Sequence, residues 1–148
     1  MEPVQGEKKV DILLIEDNPA DVRLTKEALK ECKILVNLHV VFDGVQGIEF
    51  LQQKGQYANA VKPDLVLLDL NLPKKNGIEV LQEIKSDQTL KHIPVVILTT
   101  SKAEQDVIKS YTSFASCYIT KPVDLEQFIN LVKTFEDFWL TIVRLPSK

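Results

Sequence analysis

Five polar side chains in this sequence each follow an apolar run, and their types could support chemistry if they met. Glu16 and Asp17 come directly after one such run, Asp69 ends a second, and Thr99 and Lys121 follow two more. If these runs are strands of one parallel sheet, their carboxyl ends meet at the edge where open α/β sheets bind ligands. The sequence therefore predicts three carboxylates, a hydroxyl and an ammonium at one edge of a sheet.

The three carboxylates need a cation or a proton between them. Two unit charges about 4 Å apart repel by about 1 kcal/mol in water and by about 4 kcal/mol at the effective dielectric constant of a protein surface. Carboxylates without a Cys or His beside them suit Mg²⁺, which keeps its remaining positions for water or phosphate oxygens. Thr99 and Lys121 would then bind an oxyanion at the metal, and Asp69 would be a nucleophile toward phosphorus.

The elements that must position these residues are alternating strands and helices. Leu65–Leu68 lies between two prolines and is apolar throughout, which indicates a strand buried on both faces. The predicted strands are residues 10–15, 35–42, 65–68, 94–98 and about 116–119. Helices are predicted from Asn18-Pro19, after Asp43, after a turn at residues 74–77, around residues 107–111 and from about residue 124. Such alternation implies right-handed crossovers and a parallel sheet, and thus an α/β fold.

The apolar spacing also predicts which helix faces point inward. In the first helix the apolar stripe consists of Ala20, Leu24 and Ala28 at four-residue spacing, with Leu29 and Cys32 beside them. In the second helix we expect Val45, Ile48 and Leu51 to face inward.

Composition and length limit the classes of protein. The chain has 148 residues, which fits one domain over residues 10–148 after a polar tail of residues 1–9. With 18 Lys and Arg against 21 Asp and Glu, non-specific binding to nucleic acid or to an anionic membrane is disfavoured. The polar start and the lack of a long apolar run predict a cytoplasmic protein. Cys32 and Cys117 match no metal or redox spacing and are expected to be buried, inert thiols.

From about residue 10 to residue 135 the motifs resemble the receiver domains of two-component response regulators. The resemblance implies a flavodoxin-like, doubly wound sheet of five parallel strands in the order 2-1-3-4-5, with helices on both faces. It also implies that the chain is a phosphoacceptor and not an enzyme with a substrate of its own.

The resemblance assigns a role to each candidate site residue. Glu16 and Asp17 match the acidic pair of the metal site for Mg²⁺ or Mn²⁺, and Asp69 matches the phosphoryl acceptor. The remaining matches are Asn71 as a metal ligand through its backbone carbonyl, Thr99 as the switch hydroxyl, Tyr118 as the switching aromatic, Lys121 as the phosphate-binding lysine, and Pro122 after a cis peptide bond. Tyr118 has a plainer interpretation as a packing residue.

A narrower resemblance covers most of the chain. Residues 67–77 (LLDLNLPKKNG), 93–101 (IPVVILTTS) and 135–146 (FEDFWLTIVRLP) are similar to the single-domain response regulators that serve cyanobacterial phytochromes. This implies a phytochrome-type histidine kinase as phosphoryl donor. One departure is Thr100, since many receivers have a small residue after the switch hydroxyl.

Residues 136–148 extend the last predicted helix beyond the end of a minimal receiver. Phe138, Trp139 and Ile142 lie on its apolar stripe. They either cap the core or form part of an interface, where Trp and Phe are enriched. The resemblance points to a homodimer through the last two helices and this extension.

Two other classes of function stay open at this point. A haloacid dehalogenase-type phosphatase would need a second Asp two residues after the nucleophile, where this chain has Asn71. A pseudo-receiver would bind partners without phosphorylation. Because no residues follow Lys148, we expect no helix-turn-helix and no DNA binding, so the output must pass to an unknown partner protein.

Overall fold

The computed structural model describes residues 9–31, 35–101, 103–104, 106 and 118–132. Its strands are β1 (Lys9–Ile15), β2 (Leu35–Val41), β3 (Leu65–Asp69), β4 (Val95–Thr99) and β5 (Tyr118–Thr120). Its helices are α1 (Pro19–Lys30), α2 (Gly44–Gln52), α3 (Gly77–Ser86) and α4 (Leu125–Val132), with a short 3₁₀ turn at Gly55–Tyr57. The helix predicted around residues 107–111 lies outside the described residues.

All five strands pair in parallel, in the order β2-β1-β3-β4-β5, as predicted. The register places Ile15 opposite Leu68, and Asp69 opposite Leu98. The carboxyl ends of β1, β3 and β4 are therefore level with one another, which is the condition for their terminal side chains to meet.

Two apolar layers cover the two faces of the sheet. Alternate residues of β1 point to opposite faces, so Leu13 and Ile15 belong to one layer while Ile12 and Leu14 belong to the other. The first layer packs under α2 and α3, and the second packs under α1 and α4. Helices therefore lie on both faces, which confirms the predicted doubly wound architecture.

The predicted inward faces of the first two helices are partly wrong. In α1, Leu29 is buried as expected, but Leu24 is 44% exposed, and Val22 faces the core instead. In α2, Ile48 and Leu51 are buried whereas Val45 is exposed. Spacing identifies a helix with several apolar positions, but it does not fix the rotation of that helix against the sheet.

Local signals set where the helices begin. Asn18 caps α1 by accepting hydrogen bonds from the backbone amides of Ala20 and Asp21, at 2.9 and 3.2 Å. Asn76 forms a capping box with Glu79 at the start of α3. Asp17 is therefore not the cap of α1, and its carboxylate is left for the sheet edge.

Candidate functional site

Three carboxylates converge at the carboxyl edge of the sheet. Glu16 and Asp17 follow β1, and Asp69 is the last residue of β3. Each offers an oxygen that lies within 4.8 Å of the other two. The side chains of Glu16 and Asp69 are only 1% and 5% exposed, while Asp17 is exposed. The residues predicted to form the acidic site are brought together.

Lys121 reaches into this cluster from the turn after β5. Its Nζ lies 3.0 Å from Asp69 Oδ1, 2.9 Å from Glu16 Oε1 and 3.1 Å from Asp21 Oδ2. Burial alone would lower the pKa of Lys121, but the contacts with the carboxylates of Glu16, Asp69 and Asp21 outweigh it and raise the pKa above its ordinary value. Lys121 is thus a permanent ammonium at the site.

The carboxyl group of Glu16 is strongly affected by its burial. Burial raises its pKa to about 7, the charge of Asp69 adds to this rise, and the contacts with Lys121 and the Asn18 amide only partly offset it. Although Lys121 Nζ is close, it does not approach Glu16 Oε1 along a hydrogen-bond direction. Within the described ranges no other group supplies a hydrogen bond to this buried oxygen either. Glu16 Oε1 is thus a buried oxygen that has an ion-pair contact with Lys121 but no hydrogen bond from a described residue, and it could bind a cation.

These residues fit a divalent hard cation. The donors are carboxylate oxygens, one of them buried and without a hydrogen bond, and no thiol or imidazole belongs to the cluster. Mg²⁺ and Mn²⁺ both prefer such oxygen donors. A cation here would offset the burial of the Glu16 charge, which is the main cause of its raised pKa, and would relieve the repulsion from Asp69 that adds to it.

The two switch candidates lie on neighbouring strands beside the cluster. Thr99 ends β4 and is fully buried. Tyr118 begins β5, is half-buried and packs against the apolar layer under α2 and α3. The backbone amide of Lys121 donates to the carbonyl of Thr99 at 2.7 Å, and the Lys121–Pro122 peptide bond is cis, as the resemblance implied.

Two acidic residues near the site were missed by the sequence reasoning. Asp21 lies in the first turn of α1, five positions after Glu16, and its acidic side chain at a helix start was a weak signal. Glu104 accepts hydrogen bonds from Asn71 Nδ2 at 3.0 Å and from the Thr100 amide at 2.8 Å. No motif pointed to Glu104, because its contacts join two loops that are distant in sequence.

The loop after β3 is held close to the sheet by glycine. The Gly77 amide donates to the carbonyl of Leu70 at 2.9 Å, and a Cβ at Gly77 would lie 2.6 Å from the carbonyl oxygen of Asp69. In the same loop Lys74 has a positive φ of 67°. The side chain of Asn71 is exposed. Metal binding by its backbone carbonyl stays a prediction. Phe138, Trp139 and Ile142 lie outside the described residues.

Comparison with known proteins agrees with the resemblance to receiver domains seen in the sequence. The family described as the response regulator receiver domain matches residues 12–133. Response regulator Rcp1 of Synechocystis sp. is 52% identical over 136 residues, which cover 92% of this chain and 92% of Rcp1.

Solved structures of such proteins have the same fold. The bacteriophytochrome response regulator AtBRR matches with a TM-score of 0.84 at 42% identity, over 89% of this chain and 96% of AtBRR. The phosphorylated cyanobacterial phytochrome response regulator RcpA matches with a TM-score of 0.74 at 52% identity, over 95% of this chain and 100% of RcpA. The Mn²⁺-bound form of Rcp1 matches with a TM-score of 0.72 at 51% identity, over 93% and 99% of the two chains.

In the described part of the chain, none of the helices has the length and hydrophobicity needed to cross a bilayer. The acidic edge, the lysine that faces it and the extent of the family match lead to one assignment. This chain belongs to the response regulator receiver domain family of two-component signalling proteins.

Proposed function

We propose that Asp69 accepts a phosphoryl group from a histidine kinase, with Mg²⁺ or Mn²⁺ held by Glu16, Asp17, Asp69 and the backbone carbonyl of Asn71. The observation that supports this most strongly is the position of Asp69. It ends a central strand, it is almost fully buried, and its carboxylate is close both to the acidic pair and to the ammonium of Lys121. This arrangement is suited to a nucleophile that receives an anionic group.

The chemistry is a transfer between two nucleophiles. A carboxylate oxygen of Asp69 attacks phosphorus, the bond from phosphorus to the donor histidine nitrogen breaks, and that nitrogen keeps the electron pair. A bound divalent cation supplies positive charge for the phosphoryl oxygens and lowers the repulsion between them and the carboxylates. Lys121 supplies a further positive charge beside Asp69, with its Nζ 3.0 Å from Asp69 Oδ1.

Thr99 and Tyr118 are proposed to change position in response to the charge of the phosphoryl group. Thr99 lies at the end of the strand beside Asp69 and would donate its hydroxyl to a phosphoryl oxygen. Movement of the β4 end toward that oxygen would change the packing around Tyr118, which is paired with β4 through Ile97. Phosphorylation is thus proposed to act on the surface formed by the last helices.

The donor is proposed to be a phytochrome-type histidine kinase. Support comes from the relatives described above, which serve phytochromes by name and cover nearly the whole of this chain. The chain would act in the cytoplasm as a phosphoacceptor without turnover of a substrate of its own. The family match gives no support to a phosphatase of the haloacid dehalogenase type.

The output is proposed to be a contact with another protein. We retain the prediction of a homodimer through the last two helices and the segment with Phe138, Trp139 and Ile142, and of an unknown downstream partner.

Intact mass spectrometry after incubation with Mg²⁺ and acetyl phosphate tests the proposal. We expect the wild type to gain the mass of one phosphoryl group, and Asp69→Asn to gain none. Asp106→Asn makes the same substitution at an exposed position and should behave as the wild type. The gain should disappear when EDTA removes the metal.

A chain that gains no mass from acetyl phosphate should be given a phosphorylated phytochrome kinase. If Asp69 then still stays unmodified while the kinase retains its phosphoryl group, the proposal is wrong and the chain is a pseudo-receiver.

A further inference from the structure

Lys121 has three carboxylate partners in the resting protein, and one of them has no role in the function proposed above. Glu16, Asp69 and Asp21 lie 2.9, 3.0 and 3.1 Å from its Nζ, and the contact with Asp21 Oδ2 is a hydrogen bond. Glu16 belongs to the acidic pair, and Asp69 is the nucleophile. Asp21 comes from another element, the first turn of α1.

Phosphorylation would weaken the first two contacts. Glu16 and Asp69 would each give an oxygen to a bound cation, which would compete with Lys121 for these carboxylates and repel its ammonium. Transfer of the phosphoryl group then turns the Asp69 carboxylate into an acyl phosphate. Asp21 is changed by neither event, so its carboxylate is the partner that persists from the resting to the phosphorylated protein.

Asp21 is well placed to be a fixed support. Its backbone amide donates to the side chain of Asn18, the N-cap of α1, so the start of the helix is held relative to the end of β1. Its side chain is 27% exposed, at the rim of the site, whereas Glu16 and Asp69 are deeper. The contact from Asp21 to Lys121 joins residues 100 positions apart in sequence.

Lysine needs such a support more than most cations. Its ammonium lies at the end of a flexible four-carbon chain that has many rotamers. Without an anchor, repulsion from a bound divalent cation would drive it out of the site toward water. Lys121 would then be absent when negative charge develops on the phosphoryl group.

We propose that Asp21 is a positioning residue for phosphoryl transfer, which holds the ammonium of Lys121 beside Asp69 while metal and phosphoryl group arrive. The inference rests on the proposed function and deepens it. A plainer role for Asp21 is to stabilise the positive end of the α1 dipole. The two roles differ in what they do to Lys121.

The test compares Asp21→Asn with Glu27→Gln, which removes one negative charge from an exposed position of the same helix. At saturating Mg²⁺ and acetyl phosphate, we expect the maximal rate of phosphorylation to fall about tenfold in Asp21→Asn, the usual effect of losing one hydrogen bond between charged groups. The donor concentration at half-maximal rate should change little. Glu27→Gln should keep the wild-type rate.

NMR with ¹³C-labelled lysine reads the position of Lys121 directly. A fixed side chain gives separate signals for its two Hε protons, and Lys121→Arg identifies the pair. With Mg²⁺ and no donor, we expect separate signals in the wild type and in Glu27→Gln, and one averaged signal in Asp21→Asn. In the metal-free proteins all three should show separate signals, because Glu16 and Asp69 still hold the ammonium.

The outcomes separate this inference from the function on which it rests. A wild type that takes no phosphoryl group contradicts the proposed function. A wild type that is phosphorylated at the same rate as Asp21→Asn contradicts the positioning role alone. The dipole role is supported instead if Asp21→Asn loses activity only in proportion to its thermal stability and Asp21→Glu restores both.

Discussion

At the scale of single residues, Glu16 is a buried acid that stays partly protonated near neutral pH. Burial raises its pKa from 4.5 to about 7 in the metal-free protein. Between these two values the folded chain binds a proton that the unfolded chain has lost. The stability of the metal-free protein is therefore highest below pH 4.5 as far as Glu16 is concerned, and it falls as the pH rises through about 7.

This proton competes with the metal, which gives a testable pH dependence. We expect Mg²⁺ affinity, measured by titration calorimetry, to rise as the pH increases toward about 7 and then to level off. Binding at pH 6.5 should release protons, which buffers of different ionisation enthalpy will reveal. Glu16→Gln should bind Mg²⁺ more weakly, with little dependence on pH. If Mg²⁺ affinity depends on pH equally in the wild type and in Glu16→Gln, the proton that is released on binding comes from another group.

The same residue predicts a stability difference without metal. In urea denaturation with EDTA, we expect the loss of stability between about pH 5 and pH 8 to be smaller in Glu16→Gln, by on the order of 2 kcal/mol. Other groups titrate in both proteins, so the comparison isolates the carboxyl of Glu16. A larger loss in the variant would mean that Lys121 keeps the carboxylate charged despite its burial.

At the scale of elements, Glu104 joins the loop after β3 to the end of β4. Its carboxylate accepts from Asn71 and from the Thr100 amide, and so it connects the residues that follow Asp69 and Thr99. Burial would raise the pKa of Glu104, but these hydrogen bonds and the charge of Lys121 lower it below its ordinary value. The connection is therefore present above the ordinary pKa of the carboxyl and is lost as the pH falls through the lowered value.

We expect this connection to shield the phosphoryl group from water. Glu104→Ala should lose its phosphoryl group several-fold faster than the wild type. The variant lacks the hydrogen bonds that connect Asn71 and Thr100, and it also lacks a negative charge near the site. The decay is followed by intact mass after the donor is removed. Glu126→Ala, at an exposed position of α4, is the matched control. A slower decay in Glu104→Ala would show that Glu104 assists hydrolysis instead.

Two glycines allow helix α2 to pack closely against its neighbours. A Cβ at Gly44 would lie 1.9 Å from the backbone oxygen of Lys75, in the loop after β3, while one at Gly47 would lie 2.6 Å from the end of the Ile15 side chain. The backbone of Lys75 cannot yield without moving that loop, whereas Ile15 can change rotamer.

Gly44→Ala should therefore be more harmful than Gly47→Ala. We expect urea denaturation to show a loss of about 3 kcal/mol for Gly44→Ala and about 1 kcal/mol for Gly47→Ala, within the usual range for overpacking. Because the loop carries Asn71, only Gly44→Ala should also weaken Mg²⁺ binding. Equal losses of stability, with metal binding intact in both, would show that the loop and the helix adjust independently.

At the scale of the whole molecule, the sequence predicts the sheet and the deepest part of the site better than its rim. Four apolar residues before Asp69, bounded by Pro63 and Pro73, indicate a strand buried on both faces, and parallel pairing then brings Asp69 to Glu16. Asp21 and Glu104 could not be predicted, because their roles depend on how α1 and a loop are rotated toward Lys121 and Asn71. Leu24 is exposed for the same reason, because its spacing in the sequence does not fix the rotation of α1 against the sheet.

The predicted homodimer concerns residues beyond the described part of the chain, and it depends on the sequence alone. Trp139 is the only tryptophan, so its fluorescence reports on the segment that is expected to form the interface. If a second subunit covers this segment, dilution should shift the emission to longer wavelength as the subunits separate. Phe138→Ala removes a neighbouring aromatic side chain and keeps the reporter.

We expect Phe138→Ala to weaken the dimer about 30-fold in sedimentation velocity, the effect of an interface residue worth about 2 kcal/mol. Phosphorylation at Asp69 should change the dissociation constant of the wild type, because it adds charge at the sheet edge. Treatment with the same donor should leave the dissociation constant of Asp69→Asn unchanged. Emission that does not change on dilution, together with a monomer mass at high concentration in both phosphorylation states, would show that the apolar stripe caps its own core. The signal would then have to leave the receiver through a surface nearer to Thr99 and Tyr118.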